Sequence, residues 1–518
     1  MNTQKIGSLV ALIAVVIIGS FIFGSAAAQQ DVLFIGSSVA IAFVLTIFVA
    51  LGRSTWIVIP IFSMWGGQVP ALPLPFSVSN LAIIFAVGAW TLHLLTRKET
   101  FGWRFKRLDI AVGLVMFTVV LAFIRNPVGL KVFGNTELIG GRPYFEVLMA
   151  LVAYVMLSSI KPNIQWFNRI PVINLVTAGL LAIGGGVAFF VPDVGMVLYH
   201  IYSGFMPNIA TESMSTADAE SVSVGRSAFL SPISLVIVYF LYAHRPPIQS
   251  ALPTKPLGFA ALLFAVACGL ASGFRSLFGA HGACFFLASM VWSGFRGAFL
   301  ALFLALVVVG LVSGSSYFVT YPDQIERSLS FLPGDWEQWV VQTGTDSTDW
   351  RVEMWEEALY GDGIKNKYLG DGFGVSRAEM EYYQTQTLLG QATPADSQRY
   401  YLLTGSLHSG PITAIRFVGA LGLLIYLILA ISVAVGFTKL WRLCIRRREK
   451  ILVGFFALPA LYHPFYFLLI FGSYDNDLPK LLISAGLLVL CRNLLSQIQR
   501  EDENRENEEG PNSSEAFT

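Results

Sequence analysis

Apolar positions along this 518-residue chain fall into blocks of about 15 to 24 residues separated by polar breaks. A helix needs about 20 such residues to cross a hydrocarbon slab roughly 30 Å thick. The blocks predict spans at 6–23, 32–51, 55–69, 76–95, 108–125, 143–160, 170–191, 229–244, 257–274, 276–292, 297–313, 412–435, 451–472 and 479–496. Two are irregular: 55–69 is interrupted by Pro60 and Gly66-Gly67, and 276–292 is short. The pattern predicts an all-α fold, a polytopic transmembrane helical bundle of 12–14 spans, with one large extracytoplasmic, partly helical loop. A transmembrane barrel would instead alternate every two residues over shorter segments.

The largest break in the apolar pattern is 314–411, which carries 14 acidic and 6 basic side chains in a chain that is 13% charged overall. Such a segment must be solvated or folded outside the bilayer. Positive charge gathers elsewhere: Arg97, Lys98, Arg104, Lys106 and Arg107 crowd one short loop, and Lys439, Arg442, Arg446, Arg447, Arg448 and Lys450 another. Such clustering marks both loops as cytoplasmic. An even number of crossings must separate them, and the eight predicted spans between satisfy this only if 276–292 crosses. Residues 314–411, 192–228 and 126–142 are then external.

The expected organisation is N-terminal spans over 1–256, a region over 257–440 that includes the external insert, C-terminal spans over 441–496, and a disordered acidic tail over 497–518. Ser25-Ala26-Ala27-Ala28 resembles a signal-peptidase site, but an 18-residue apolar core flanked by Lys5 alone fits a retained helix better.

Composition adds little beyond class. The chain is 55% apolar with 40 Phe and a mean hydropathy of +0.63. The net charge of +1 says nothing about nucleic acid, and the sequence shows no arginine-rich soluble domain to bind it. Cys268, Cys284, Cys444 and Cys491 have no paired spacing and read as packing residues, so no metal and no cofactor is expected.

Within the insert, Asp346-Ser347-Thr348-Asp349 offers several N-caps, and Trp350, Met354, Trp355, Ala358 and Leu359 recur at helical spacing. A helix is expected over 349–360, ending near Gly361, with Arg351 at the edge of its apolar face. Tyr368-Leu369-Gly370-Asp371-Gly372-Phe373-Gly374 reads as a glycine-rich turn that packs Phe373 inward. His408 precedes Ser409-Gly410-Pro411, a cap and first turn, and so stands at the mouth of the next span, where helix N-termini favour anions. Arg416 lies about 7 to 8 Å deeper, at or just beneath the interface. A histidine can take a proton from a sugar hydroxyl near neutral pH while arginines neutralise a phosphate. Arg226 and Arg275 fall on the same face in this topology. Arg275 closes the tetrad Ser272-Gly273-Phe274-Arg275, which recurs as Ser293-Gly294-Phe295-Arg296 on the opposite face, where Arg296 reads as a topological anchor. Arg142 and Glu146 have the spacing of a structural helix ion pair.

Three pieces resemble the O-antigen ligase and O-antigen polymerase superfamily of bacterial envelope glycosyltransferases. They are Ser293-Gly294-Phe295-Arg296-Gly297-Ala298 opening a span, Trp350-Arg351-Val352-Glu353-Met354-Trp355 followed by Leu369-Gly370-Asp371-Gly372-Phe373-Gly374, and His408-Ser409-Gly410-Pro411 leading into Gly419-Ala420-Leu421-Gly422. The likeness covers about 257–440. Ser409 stands where that family usually has asparagine, and Phe295 where it often has serine; neither departure removes a charge.

The resemblance implies metal-independent transfer of a glycan from a polyisoprenyl diphosphate carrier to a glycan or lipid A-core acceptor, at the periplasmic face of the bacterial inner membrane. It implies His408 and Arg351 as catalytic residues and Arg226 and Arg275 as diphosphate-binding residues, to which the position of Arg416 just inside the span adds a third. Membrane lipids, and a chain-length regulator or flippase, are the implied associates, with no nucleic acid. Polymerase, ligase and protein O-oligosaccharyltransferase all remain open. The alternatives from other classes are a polytopic transporter or lipid-linked oligosaccharide flippase, and a structural scaffold.

Overall fold

The computed structural model describes residues 51–63, 65–70, 76–95, 102, 105–128, 138–161, 164–205, 227–389, 393–444 and 446–508. The spans expected at 6–23 and 32–51, Ser25–Ala28, most of the first basic loop and Arg226 lie outside that set. The chain is an all-α, polytopic helical bundle; among the described residues, seven helices are long and apolar enough to cross a membrane.

The helices that frame the bundle are α1 (Val78–Leu95), α2 (Arg107–Arg125), α3 (Gly141–Ser159), α4 (Ile170–Phe190), α5 (Leu230–His244), α6 (Pro256–Ala271) and α7 (Arg275–Ser315). The insert folds into α8 (Asp323–Leu329), α9 (Gln338–Tyr360), α10 (Arg377–Leu388) and α11 (Pro394–Thr404). Three long helices complete the bundle: α12 (Gly410–Leu443), α13 (Arg447–Leu469) and α14 (Tyr474–Glu508). The only sheet among the described residues pairs β1 (Leu138–Ile139) antiparallel with β2 (Val375–Ser376).

Helix α7 is a hairpin. As a straight rod its 41 residues would run about 60 Å. Yet at one end Arg275 Nε donates to the Arg327 carbonyl at 2.8 Å, and at the other Ser316 Oγ accepts from the Asp335 amide at 2.8 Å. Residues 327 and 335 can be no more than about 28 Å apart along the chain. The fold occurs at Gly294 (φ 64°, ψ −152°), a conformation reserved in practice for glycine. The legs 275–293 and 295–315 are each close to the length a crossing needs, and both ends of the hairpin meet the insert.

The opposite end of the bundle carries the second basic loop. Arg442 Nη2 donates to the Met290 carbonyl at 3.2 Å, and Lys450 Nζ lies 4.1 Å over the Trp292 ring, so the Gly294 turn sits beside the α12–α13 junction. The insert and the basic loop are therefore at opposite ends.

Three expectations are corrected. The stretch 55–69 is not a spanning helix: a 3-10 turn (Gly52–Ile57) and a short helix (Val58–Phe62) stop before Gly66-Gly67, and the chain turns back with Gln68 bridging Ser77. The insert helix starts at Gln338 rather than near 349, because Glu326 Oε1 accepts the Glu337 amide at 2.6 Å and fixes its first turn earlier. The expected tail is helical through Glu508, supported by Arg446–Asp502 at 2.6 Å and Gln497–Glu501 at 2.9 Å; later residues are not described. The four cysteines are buried and free, and Arg142 meets Glu146 at 2.9 Å, as expected.

Helix α12 is also broken, at Gly419 (φ 76°, ψ 177°). Breaking a helix in a bilayer strands backbone groups that no water can satisfy. Here the glycine-rich loop takes them up: Asp371 and Gly372 amides donate to the Arg416 and Phe417 carbonyls at 2.8 and 3.0 Å, and Ala420 donates to the Lys367 carbonyl at 2.9 Å. A Cβ on Gly419 would collide with the Tyr368 carbonyl and force a positive φ on an L-residue. The substitution Gly419→Ala is expected to cost about 3 kcal/mol or more, from strain plus lost pairing, and to expose 365–374 to proteolysis. Limited digestion with thermal unfolding in detergent checks this; an unaltered digestion pattern and midpoint would show that the loop does not depend on the break.

Candidate functional site

The rim of the bundle beneath the insert is assembled around the start of α12. The apolar face of α9 docks there: Met354, Ala358, Ile364, Leu407 and Ile412 are buried together, flanked by Trp350, Trp355, Leu359 and Tyr401. Each large member contributes roughly 1.5–3 kcal/mol, more than the ~1 kcal/mol of the single indole hydrogen bond from Trp355 Nε1 to the Leu407 carbonyl at 2.6 Å. That bond nevertheless sets the register, because it ties the turn of α9 after Arg351 to the residue before His408.

His408 is the one non-glycine residue with a positive φ (53°) among the described residues. Its imidazole stacks on Phe471 at 5.1 Å and lies 5.6 Å from Tyr401. Tyr401 in turn meets Trp350 edge-on at 5.1 Å, and Trp350 precedes Arg351. His408 and Arg351 therefore sit on elements joined by one tyrosine, and both are half-buried. As expected, Ser409 is the cap residue of α12 and Pro411 lies in its first turn.

Arg275 joins the same face from below. Its Nη2 donates to Ser330 Oγ at 3.0 Å, and a Cβ on Gly344 would come within 2.5 Å of that nitrogen. Gly344 and Arg351 are seven residues apart, two helical turns on one face of α9, so the position Arg275 packs against and the position that carries Arg351 lie along one stripe about 10 Å long.

Arg416 is placed differently from its expected role at the rim. It is 7% exposed, its Nη1 lies 3.5 Å from Asp371 Oδ2 and donates to the Gly372 carbonyl at 3.2 Å, and its Nη2 approaches the Leu403 carbonyl at 3.5 Å. Its charge is spent on holding the loop, which makes it a positioning residue. Arg226 lies outside the described residues, so its expected role is not located.

Sequence reading passed over several participants. Arg125 Nη1 donates to the Gly370 carbonyl at 2.7 Å, and Asn126 Nδ2 to the Asp371 carbonyl at 2.9 Å, so the end of α2 grips the loop. Asp371 also accepts the Lys365 and Asn366 amides, each at 2.9 Å. Phe373 is buried and stacks on Phe417 at 4.3 Å, the inward packing the glycine-rich turn suggested. Phe471, from the α13–α14 junction, carried no signal that would link it to His408.

Chemically the rim offers an imidazole beside aromatic walls, one guanidinium on the adjoining α9 and that of Arg275 packed against Gly344 of the same helix. Among the described residues no group of three or more His, Cys, Asp or Glu is placed to share a metal ion. No protein-family model matches the chain, and no curated protein does.

Removing one partner of a buried ion pair strands the other. Asp371→Asn is expected to destabilise the protein by about 3–5 kcal/mol, whereas Arg142→Ala, in a surface pair, should change stability by under about 1 kcal/mol. Paired thermal melts check the contrast; equal shifts would show that Asp371 is not structurally committed.

Helix α11, which carries Tyr401, starts with a capping box. The Thr393 hydroxyl and amide both bond the Asp396 carboxylate, and these bonds hold its pKa below the ordinary 3.8. A folded-state value lower than the unfolded one stabilises the cap above pH 3.8, and that stabilisation fades as pH falls through the folded value. Hydrogen exchange of amides 397–404 should therefore quicken, relative to the intrinsic rate, on acidification below the ordinary carboxylate range. Asp396→Asn should show the faster exchange already at neutral pH, and a pH-independent protection factor would remove the argument.

Proposed function

We propose that this protein transfers a glycan from a polyisoprenyl diphosphate carrier to a sugar hydroxyl at the periplasmic side of a bacterial inner membrane, as an O-antigen or exopolysaccharide polymerase or an O-antigen ligase. The observation that carries the proposal is His408: a strained, half-buried imidazole at the mouth of a span, joined through Tyr401 to the helix that bears Arg351. The ordered motifs around Arg351, Gly370–Gly374 and His408 support the same reading by their resemblance to that superfamily.

In the proposed step the acceptor hydroxyl oxygen attacks the anomeric carbon of the donor sugar and His408 takes its proton. The bond from that carbon to the diphosphate oxygen breaks, and the electron pair leaves with the diphosphate. Arg351 and Arg275 stabilise the leaving charge, since guanidinium groups bind phosphate oxygens in a bidentate fork. A single displacement of this kind inverts the anomeric centre. Donor lipid enters laterally, and the insert, resting on α12, supplies the acceptor side.

A transporter or flippase is the second reading, favoured by the two broken helices, which are common in transporters. Against it, the backbone groups freed by the break at Gly419 are paired with the insert's own backbone rather than turned toward a solute. His408→Ala and Arg351→Ala, at normal membrane levels, are expected to lower long-chain surface polysaccharide at least about 100-fold, the usual scale of a general base. Lipid-linked precursor should accumulate at the outer leaflet. Wild-type polysaccharide from both variants would end the catalytic assignment, and precursor trapped at the inner leaflet would favour flipping.

A further inference from the structure

At the end of the bundle opposite the insert, the Gly294 turn opens a cavity of about 370 Å³ lined by Val291, Trp292, Gly294, Trp441, Arg442 and Lys450. We infer that this cavity binds the phosphate headgroup of an anionic phospholipid from the adjoining leaflet.

The site is built rather than incidental. Trp292 is fixed by donating its indole N–H to the Tyr242 carbonyl at 2.8 Å, and it packs edge-on against Trp441 at 6.0 Å. Lys450 is held over its face at 4.1 Å, and Arg442 is anchored by one hydrogen bond to the Met290 carbonyl, which leaves the rest of its five-donor fork available. The carboxylates nearby are engaged with a different cation, Glu449 at 3.9 Å and Asp502 at 2.6 Å from Arg446. Two cations thus line a concave aromatic pocket without an acid partner among the described residues.

The surroundings point to lipid rather than to a free anion. Beside the cavity, Phe295 is 80% exposed, Phe299 72% and Leu443 73%, an apolar surface suited to acyl chains. Aromatic and basic side chains together mark the headgroup level, and basic pockets between spans on the cytoplasmic side are the usual seat of anionic headgroups. The Gly294 break is what makes room: a helix continuing unbroken through residue 294 would leave no turn for the headgroup to occupy.

The test is native mass spectrometry of the full chain in mild detergent, titrated with phosphatidylglycerol or phosphatidylethanolamine. Wild type should bind one phosphatidylglycerol in preference to phosphatidylethanolamine. Arg442→Gln combined with Lys450→Gln should weaken it about 25-fold, roughly fivefold per cation. Lys450→Arg should retain binding, and Lys439→Gln combined with Arg448→Gln, exposed positions in the same basic loop, should change it less than about threefold. Equal loss in that second pair would reduce the effect to diffuse charge and overturn the site. Equal retention of both lipids, unaltered binding by the first pair, or displacement by millimolar inorganic phosphate as effective as by lipid would also overturn it. A size-exclusion profile matching wild type certifies each variant, and the Lys450→Arg arm decides the matter if the double variant fails to fold.

Discussion

A transmembrane helix can be interrupted only if something other than water satisfies the backbone it exposes, and in this protein that requirement organises the rim. At Gly419 the α12 helix breaks, and the loop 365–374 lays its own amides and carbonyls against Arg416, Phe417 and Ala420. The contact is between backbones, so it permits no Cβ at Gly419. It also brings Asp371 to Arg416, and through Arg125 and Asn126 it recruits the end of α2. The insert is consequently not a tethered soluble domain. It is a structural part of the bundle, and the position of His408, one turn before the buried segment of α12, is inherited from that union.

The two glycine breaks are put to opposite uses. At Gly419 protein fills the gap; at Gly294 the gap becomes a turn with a lined cavity. Gly297 shows how tight the second is, since a Cβ there would collide with the Ser289 carbonyl. A helix that reverses in so little space needs both a permissive φ at Gly294 and a missing side chain three residues on. Hence the hairpin is local chemistry rather than a consequence of the spans around it.

How much of this the sequence disclosed depended on the range of the interaction. Hydropathy blocks and clustered arginines are local sums, and they made the helical bundle and the opposite placement of insert and basic loop legible, while missing that 55–69 turns back. The apolar stripe from Trp350 to Leu359 was also legible, because helical periodicity is local. The start of its helix was not: Thr343, Gly344, Thr345 and Asp346 look like caps and breakers, yet they continue a helix whose first turn is set by Glu326 and whose Gly344 leaves room for Arg275. Arg416 misled for a related reason. An arginine just inside a span reads as a ligand until its partner is seen, and Asp371 lies 45 residues earlier in a loop with no periodicity. The β1–β2 pair, two residues on each side and 237 apart from Leu138 to Val375, leaves no pattern to read.

The strain at His408 bears most directly on what the rim is for. A left-handed conformation costs an ordinary residue of order 1–2 kcal/mol and persists only where packing over-determines it. The packing here is explicit: Phe471 stacked on the ring, Tyr401 tilted against it, and the Leu407 carbonyl pinned by Trp355. Asparagine or glycine would occupy the same backbone at lower cost, so stability alone gives no reason for histidine. An imidazole held at the mouth of α12, with the Arg351 guanidinium carried on the helix that pins it, is a side chain that the proposed proton transfer coupled to departure of an anion would use. The proposed reaction is the simplest chemistry that makes use of the strain, the aromatic walls and the neighbouring positive charge together.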